Sequence, residues 1–197
     1  LVACSEIAVL DVQHESWRFA HDKLRENLLR EMADDHKQAL HRAVAQAIET
    51  VYPDDVSRAA VLAYHWGTAE NAEKTAYHAT RAGTYALRTG AGVQAKAFCE
   101  QAIAALSKLP DTPDNQRMLV DAALDLSRTG VYFANPDFPM ILGRALQASE
   151  SLQDEERMAR IYGAAGTFYY SRGQVGEGLG YFARSMTLAE KLGIEEL

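Results

Sequence analysis

The sequence has few of the residues that favour β-sheets. Val and Ile together number 17, whereas Ala alone numbers 33 among 197 residues. Ala is the strongest helix former and strands favour β-branched residues, so this composition excludes a strand-dominated fold. Only 5 Pro and 13 Gly occur, which leaves long segments free of helix breakers. We therefore predict an all-α fold.

Cysteines and long apolar runs are also scarce. The two cysteines, Cys4 and Cys99, lie far apart among apolar or small residues. This placement predicts buried free thiols in a reducing compartment rather than a disulfide or zinc framework. No stretch approaches the roughly 18 apolar residues of a membrane span, and the first residues (LVACSE) contain neither an initiator Met nor a signal segment. We expect a cytoplasmic piece of a longer protein.

Basic residues are outnumbered by acidic ones. The chain has 20 Lys and Arg against 27 Asp and Glu, which gives a net charge of −7. Binding to phosphate backbones needs clusters of basic side chains, and no segment supplies such a stripe. We therefore expect no direct nucleic-acid partner and no membrane partner.

The short motifs of nucleotide, metal and nucleophile chemistry are absent. No G-x-x-x-x-G-K-[ST] loop occurs, so an ATPase core and its ATP or ADP would lie upstream of Leu1. The glycine-rich residues 173–180 (GQVGEGLG) follow a predicted helix, whereas a phosphate loop follows a strand. There is no H-x-x-x-H or C-x-x-C pair and no Ser-His-Asp arrangement. We predict no metal, cofactor or catalytic residue of an enzyme in this segment, apart from the candidate nucleotide sensor described below.

Residues 1–21 differ from the rest of the chain. Residues 7–12 (IAVLDV) and 16–19 (SWRF) are short runs rich in β-branched and aromatic residues, separated by polar residues. This pattern predicts a β-hairpin, which we interpret as the remnant of a winged-helix domain.

From Asp22 onward the apolar residues follow a helical period. The pattern predicts about nine helices with short connections, the first starting at Asp22. We divide them into a helical linker with the first hairpins, over residues 22–110, and further hairpins over 111–197. Residues 111–115 (DTPDN) form the predicted linker between the two parts. Many helices joined by short loops are typical of repeat proteins.

The last two predicted helices, at about 154–172 and 175–192, carry the clearest repeat signature. Large, small, aromatic and turn residues occur there at the spacing of the tetratricopeptide pattern; they are Tyr162, Ala165, Gly166, Tyr169, Gly173, Gly178, Phe182 and Ser185. The pattern departs from the consensus at Gly178, where Ala is usual, and at Glu190, where Pro is usual.

Small residues mark earlier, degenerate copies of this repeat. Ala102, Ala145 and Ser185 recur at spacings of 43 and 40 residues. Small residues let neighbouring helices approach closely, and each hairpin buries its second face only when it stacks on the next. We therefore predict an α-solenoid of tetratricopeptide-like hairpins. The chain stops directly after a predicted helix, so we expect the array to continue and its exposed end to self-associate.

Five segments carry a family resemblance: residues 17–26 (WRFAHDKLRE), 40–45 (LHRAVA), 63–66 (AYHW), 69–77 (AENAEKTAY) and 82–86 (AGTYA). Together they resemble the winged-helix and tetratricopeptide-like C-terminal region of bacterial multidomain signalling ATPases of the STAND class. Such proteins are often fused to a nucleotide cyclase, a kinase or a DNA-binding module. Glu70 stands where that family usually has Gly.

The resemblance also implies a role for residues 20–22 (AHD). In signal-transducing NTPases a methionine-histidine-aspartate motif of the winged helix senses the phosphates of the bound nucleotide, and here Ala20 replaces the methionine. The resemblance thus implies that His21 and Asp22 bind the nucleotide cofactor as a sensor. The alternative is a locally hydrogen-bonded histidine followed by a helix-capping aspartate.

The favoured function is a non-catalytic interaction module whose concave face binds a protein or peptide segment, or the parent protein's own regulatory domains. On the last hairpin, the positions that line the concave face in tetratricopeptide repeats are Arg160, Thr167, Tyr170 and Ser171. They provide a cation, an aromatic ring and two hydroxyls. One alternative is a small-molecule inducer-sensing arm of an ATP-dependent transcription regulator. The other is an enzyme, which requires ionisable residues clustered in a pocket.

Overall fold

The computed structural model describes residues 10–13, 16–19, 27, 30–130 and 135–194. Near the N-terminus, strands β1 (Leu10–Gln13) and β2 (Ser16–Phe19) pair antiparallel, with Leu10 opposite Phe19. Their origin in a winged-helix domain stays a prediction. Cys4, His21 and Asp22 lie outside the described residues.

The described chain is predominantly helical, as the composition predicts. The helices are α1 (Asp34–Val51), α2 (Ala59–Thr68), α3 (Ala72–Arg88), α4 (Gly92–Leu106), α5 (Pro113–Arg128), α6 (Phe138–Leu152), α7 (Glu155–Ser171) and α8 (Val175–Leu192). A 3₁₀ turn at Val56–Arg58 lies between α1 and α2. The helices correspond to the last eight of the nine predicted helices. The first predicted helix, from Asp22, lies mostly outside the described residues. None of the helices described is long and apolar enough to cross a membrane.

Polar side chains cap three of the helices, α3, α5 and α7. Asn71 accepts a hydrogen bond from the Lys74 backbone N–H (3.0 Å) at α3, and Asp154 accepts one from the Arg157 backbone N–H (3.0 Å) at α7. Thr112 caps α5, which already begins at Pro113. The predicted linker over 111–115 is therefore too long, because proline is tolerated in the first helical turn, where its missing N–H breaks no bond.

Several turns between helices contain a residue with a left-handed backbone. Glu70 (φ 55°) and Gln153 (φ 53°) adopt it directly before the caps of α3 and α7, and Gly90 (φ 77°) and Gly173 (φ 80°) adopt it after α3 and α7. Glycine reaches this region without steric cost, whereas other residues are strained in it. This explains physically why a glycine suits position 70.

The helices pack in sequence order, each against the next, and form the hairpins α3–α4, α5–α6 and α7–α8. In addition, α3 packs against α5 and α5 packs against α7. The first helices of three successive hairpins therefore lie side by side. This arrangement produces the surface on which the candidate site lies.

One continuous apolar core runs from Ala63 on α2 to Phe168 on α7. Its largest side chains include Phe138 and Phe168, whose ring centroids lie 5.1 Å apart. The alanines predicted at small-residue positions of the repeat, Ala102, Ala145 and Ala165, are buried in this core. Also buried are Ala82, Ala86 and Ala95. Cys99 is a buried free thiol, as predicted, and burial raises its pKa to about 12.

In two hairpins, a glycine lies at the same position of the first helix, where the second helix packs closely against it. A Cβ atom on Gly83 would lie 2.9 Å from the Cys99 Sγ on α4, and one on Gly166 would lie 2.6 Å from the Phe182 ring on α8. A Cβ on Gly178 would lie 2.8 Å from the backbone N of Tyr170. Contacts this short are closer than carbon atoms pack in protein interiors. The paired helices therefore approach closely where small residues were predicted.

Helix α1 is attached differently. It packs against α2 through a small separate cluster of Ala45, Leu62, Trp66 and Ala69, with Ile48 at its edge. Ala45 is the one buried residue of α1. Polar contacts therefore contribute much of the attachment of α1 to the neighbouring helices.

Candidate functional site

A groove of about 1050 Å³ lies along the first helices of the three hairpins. We call it the central groove. It is lined by Thr80 and Thr84 of α3, by Asp121, Leu124, Asp125, Ser127 and Arg128 of α5, by Arg160, Gly163, Ala164 and Thr167 of α7, and by Phe182, Ser185 and Met186 of α8. The groove combines hydroxyl groups, both signs of charge and a few apolar side chains.

The floor of the groove is organised by Asp125. Its Oδ2 accepts a hydrogen bond from the Thr84 hydroxyl at 2.6 Å, which links α5 to α3. Its Oδ1 lies 3.5 Å from the Arg128 guanidinium, whose side chain is mostly exposed. Burial raises the pKa of Asp125, and the contacts with Thr84 and Arg128 oppose that shift. The carboxylate is therefore held in place and is only slightly accessible.

The junction between α5 and α7 is fixed by Arg157. Its Nε and Nη2 donate to the two carboxylate oxygens of Asp121, both at 2.9 Å, and its Nη1 donates to Asp154 at 2.7 Å. The hydrogen bonds with Asp121 raise the pKa of Arg157 against the effect of burial. Such two-pronged pairing is directional as well as strong, so it sets the orientation of α7 beside the groove.

Two of the four predicted partner-binding residues line the central groove. Arg160 is half exposed and donates to Glu156 at 2.7 Å. Thr167 is exposed, and its hydroxyl donates to the Gly163 carbonyl at 3.0 Å. Tyr170 and Ser171, at the end of α7, are not among the lining residues. The Tyr170 ring lies 6.3 Å from the Phe182 ring, and the Ser171 hydroxyl donates to the Phe168 carbonyl at 2.8 Å.

Sequence reasoning missed the contribution of α3 and α5 to the groove. For α3 a signal was present, because residues 82–85 (AGTY) repeat as residues 165–168 (AGTF). Thr84 therefore holds the same place after Gly83 that Thr167 holds after Gly166. For Asp121, Asp125 and Arg128 we find no comparable signal, since α5 lacks the repeat pattern and its groove face follows only from packing.

A second, smaller pocket of about 320 Å³ surrounds Glu49. We call it the Glu49 pocket. It is lined by Glu49, Tyr52, Pro53, Asp54, Asp55, Leu62, Lys74, Tyr77, His78 and Arg81. The Glu49 carboxylate accepts hydrogen bonds from Trp66 Nε1 (3.1 Å) and Lys74 Nζ (3.1 Å) and contacts His78 Nε2 at 2.7 Å. Burial raises the pKa of Glu49, but these three contacts together lower it below its usual value.

Metal ligands do not gather in either pocket. Across the part of the chain that the structure describes, no group of three or more His, Cys, Asp and Glu side chains is placed to hold a metal ion.

Comparison with known proteins found no family model and no curated protein that matches the sequence. The central groove is therefore interpreted on its own geometry and chemistry.

Proposed function

We propose that the chain is an α-solenoid of tetratricopeptide-like hairpins and acts as a non-catalytic scaffold for protein interaction in a bacterial signalling ATPase or transcriptional regulator. The occupant of the central groove would be a protein or peptide segment, or the parent protein's own regulatory domains. The observation that carries this proposal is the lining of one groove by the first helices of three successive hairpins. Helical repeats bind extended segments on such surfaces.

The chemistry of the groove supports an extended segment. Its hydroxyls and charged groups come from four helices, so they are spread along the groove rather than converging on one point. The volume of about 1050 Å³ lies at the upper limit of the roughly 300–1,000 Å³ that small-ligand pockets occupy. The carboxylates of Asp121 and Asp125, held by Arg157 and Thr84, give the groove hydrogen-bond acceptors on its α5 side.

A matched pair of threonines tests the proposal. Thr167 lies in the groove, whereas Thr187 lies on α8 and is not among the groove residues. Both are exposed, and both donate to the carbonyl four residues before, at 3.0 and 2.9 Å. Either should therefore accept a large side chain with a similar small effect on stability. Thr167→Trp would fill the groove, and Thr187→Trp would leave it open.

The measurement is the Kd of peptides that are selected on the wild-type chain from a random display library. We expect Thr167→Trp to weaken binding at least tenfold, whereas Thr187→Trp changes it less than twofold. Equal effects of the two variants would place the binding elsewhere on the surface. Failure to select any peptide would count against a peptide-binding groove.

The Glu49 pocket favours a second candidate, the small-molecule inducer-sensing arm. Its volume of about 320 Å³ falls in the range of small-ligand sites. The test is the melting temperature in the presence of candidate inducers, since a ligand at about 100 times its Kd stabilises by roughly 2.7 kcal/mol. Stabilisation that survives Thr167→Trp would favour this candidate over the groove.

Nucleotide sensing by His21 and Asp22 remains part of the proposal for the parent protein. The test is His21→Ala in that protein, with nucleotide turnover as the readout. Unchanged turnover would contradict it. The predicted self-association also stays a proposal, and it is supported by exposed apolar side chains of α8 that do not line the central groove, among them Val175 and Leu179.

A further inference from the structure

Helix α1 depends on two contacts that each use a histidine. Near the middle of α1, the Nδ1 atom of His41 lies 2.9 Å from the Nδ1 atom of His65 on α2. About two turns further along α1, Glu49 contacts Nε2 of His78 on α3 at 2.7 Å. Because the apolar attachment of α1 is small, the state of these two contacts has a large influence on whether α1 stays docked.

The His41–His65 contact requires an unprotonated nitrogen. A hydrogen bond between two Nδ1 atoms needs one donor and one acceptor, so the contact cannot form when both rings carry two protons. Tyr64 packs against both rings, with centroids 5.5 and 5.3 Å away. Among the described residues no carboxylate forms an ion pair with either ring, so nothing there offsets a second positive charge. Burial, together with the proximity of His41, lowers the pKa of His65.

The His78–Glu49 contact also favours a neutral histidine. The Nε2–H of His78 donates to the Glu49 carboxylate, which leaves Nδ1 as a buried atom without a hydrogen-bond partner in the described structure. A second proton would create a buried N–H with no acceptor, which is costly. Glu49 on α1 attracts that proton, whereas Lys74 and Arg81 on α3 repel it. Burial outweighs the attraction, so the pKa of His78 lies below its usual value of 6.5.

We propose that these two contacts form a proton-sensitive latch, and that mild acidification releases α1 from α2 and α3 before the rest of the helices unfold. Release of α1 exposes His65 and His78 to water, where each binds a proton more readily. The docked state is therefore favoured above about pH 6.5, and its advantage is lost as the pH falls below that value. This inference does not depend on what occupies the central groove.

The indole of Trp66 is a natural reporter of the latch. It is buried against Ala45 of α1 and donates to Glu49, so release of α1 uncovers it. The sequence has two tryptophans, and Trp17→Phe leaves Trp66 as the only one. Acrylamide quenching of its fluorescence, measured from pH 7.5 to 5.0, gives the ratio of released to docked protein. Circular dichroism at 222 nm on the same samples monitors global unfolding.

In the Trp17→Phe chain we expect this ratio to rise below pH 6.5, by up to about tenfold per pH unit for each histidine that takes up a proton only on release. Two such histidines together raise the ratio of released to docked protein by up to about a hundredfold per pH unit. His65→Asn or His78→Gln should each reduce the dependence to about tenfold, because the amides do not titrate. In the double variant, this ratio should not depend on pH. His36→Gln, an exposed histidine on the same helix, should leave the dependence unchanged.

The decisive quantity is the slope with pH, so a variant that weakens docking at every pH remains informative. If His65→Asn fails to fold, His41→Asn tests the same contact from the other ring. The latch would be refuted if Trp66 became accessible only together with the loss of helical signal. It would equally be refuted if the double variant kept the wild-type slope, or if His36→Gln removed it.

Discussion

Hairpin α3–α4 starts after Glu70 and Asn71, and hairpin α7–α8 starts after Gln153 and Asp154. The first residue of each pair has a left-handed backbone, and the second caps the helix. The turn glycines Gly90 and Gly173, which follow α3 and α7, are separated by the same number of residues as Glu70 and Gln153. Backbone conformations thus recur even where side chains differ, because caps and left-handed turns depend on local energetics.

The two hairpins differ in what lies between their helices. The space beside Gly83 is taken by the small Cys99, and the space beside Gly166 is taken by the aromatic ring of Phe182. A second difference is at Ala95, which has Gly178 as its counterpart. Close helix approach is therefore common to both hairpins, but each achieves it with its own set of large and small side chains.

Among the substitutions considered, Gly178→Ala should cause the largest loss of unfolding free energy. Gly178→Ala would place a Cβ 2.8 Å from the Tyr170 backbone N and 3.0 Å from the Gly166 carbonyl oxygen. Because backbone atoms cannot rotate away, we expect a loss of about 2–3 kcal/mol of unfolding free energy in urea. The matched change Ala95→Gly removes a buried methyl without a clash and should cost about 1 kcal/mol. Equal losses would show that the two helix pairs have the same spacing.

The second prediction concerns the glycines beside Cys99 and Phe182. Gly166→Ala would bring its Cβ within 2.6–2.9 Å of three Phe182 ring atoms, whereas Gly83→Ala meets the single Cys99 Sγ at 2.9 Å. We expect losses of about 2 and 1 kcal/mol, respectively, in urea unfolding.

A double variant checks the cause of that difference. Phe182→Cys copies the first hairpin, and in its background Gly166→Ala should cost clearly less than it does alone. If the two costs simply added, the Phe182 ring would not be the source of the strain.

The third prediction compares two cations at equivalent positions, Arg157, which joins α7 to α5, and Lys74, which joins α3 to α1. Arg157 binds both oxygens of Asp121 at 2.9 Å, and its counterpart Lys74 reaches Glu49 at 3.1 and 3.3 Å. Arg157→Lys loses the planar two-pronged geometry and should cost about 1 kcal/mol in thermal or urea unfolding. Lys74→Arg should change stability by less than about 0.5 kcal/mol. A larger loss of stability for Lys74→Arg than for Arg157→Lys would mean that the contacts of Glu49 contribute more to stability than the Arg157–Asp121 pair.

The smallest expected effects are at the left-handed turns. Glu70→Gly and Gln153→Gly relieve backbone strain, and part of that gain is offset by the greater freedom of glycine in the unfolded chain. We expect each to raise the unfolding free energy by about 0.5 kcal/mol. The φ values of 55° and 53° are nearly equal, so the two gains should agree. A loss at either position would reveal a side-chain contact that outweighs the strain.

Much of the helical pattern was predictable from the sequence. The ends of α6, α7 and α8 follow from Pro, Asp and Gly signals, and the buried positions of Ala102, Ala145 and Ser185 follow from repeat spacing. The predicted linker over 111–115 is wrong for Pro113, which begins α5. The repeat pattern, which is clearest in the last hairpin, predicts Arg160, Thr167, Tyr170 and Ser171 on the concave face. Of these four, Arg160 and Thr167 line the central groove.

The polar contacts were not predictable in the same way. Thr84 and Asp125 lie on different hairpins, and so do Asp121 and Arg157. His41 and His65 fall in two motifs of the family resemblance, yet nothing in either motif indicates that their rings meet. Each of these contacts depends on how the helices pack against one another, which the sequence of neither helix specifies on its own.

The sequence by itself determined the helices, the turns and the small residues that permit close packing, because those features arise from energies within a few neighbouring residues. The tertiary structure alone decided which threonine meets which aspartate, how the central groove is lined and how α1 is held. The physical reason is that hydrogen bonds and burial act between residues distant along the chain, so they become defined only when the helices are packed together.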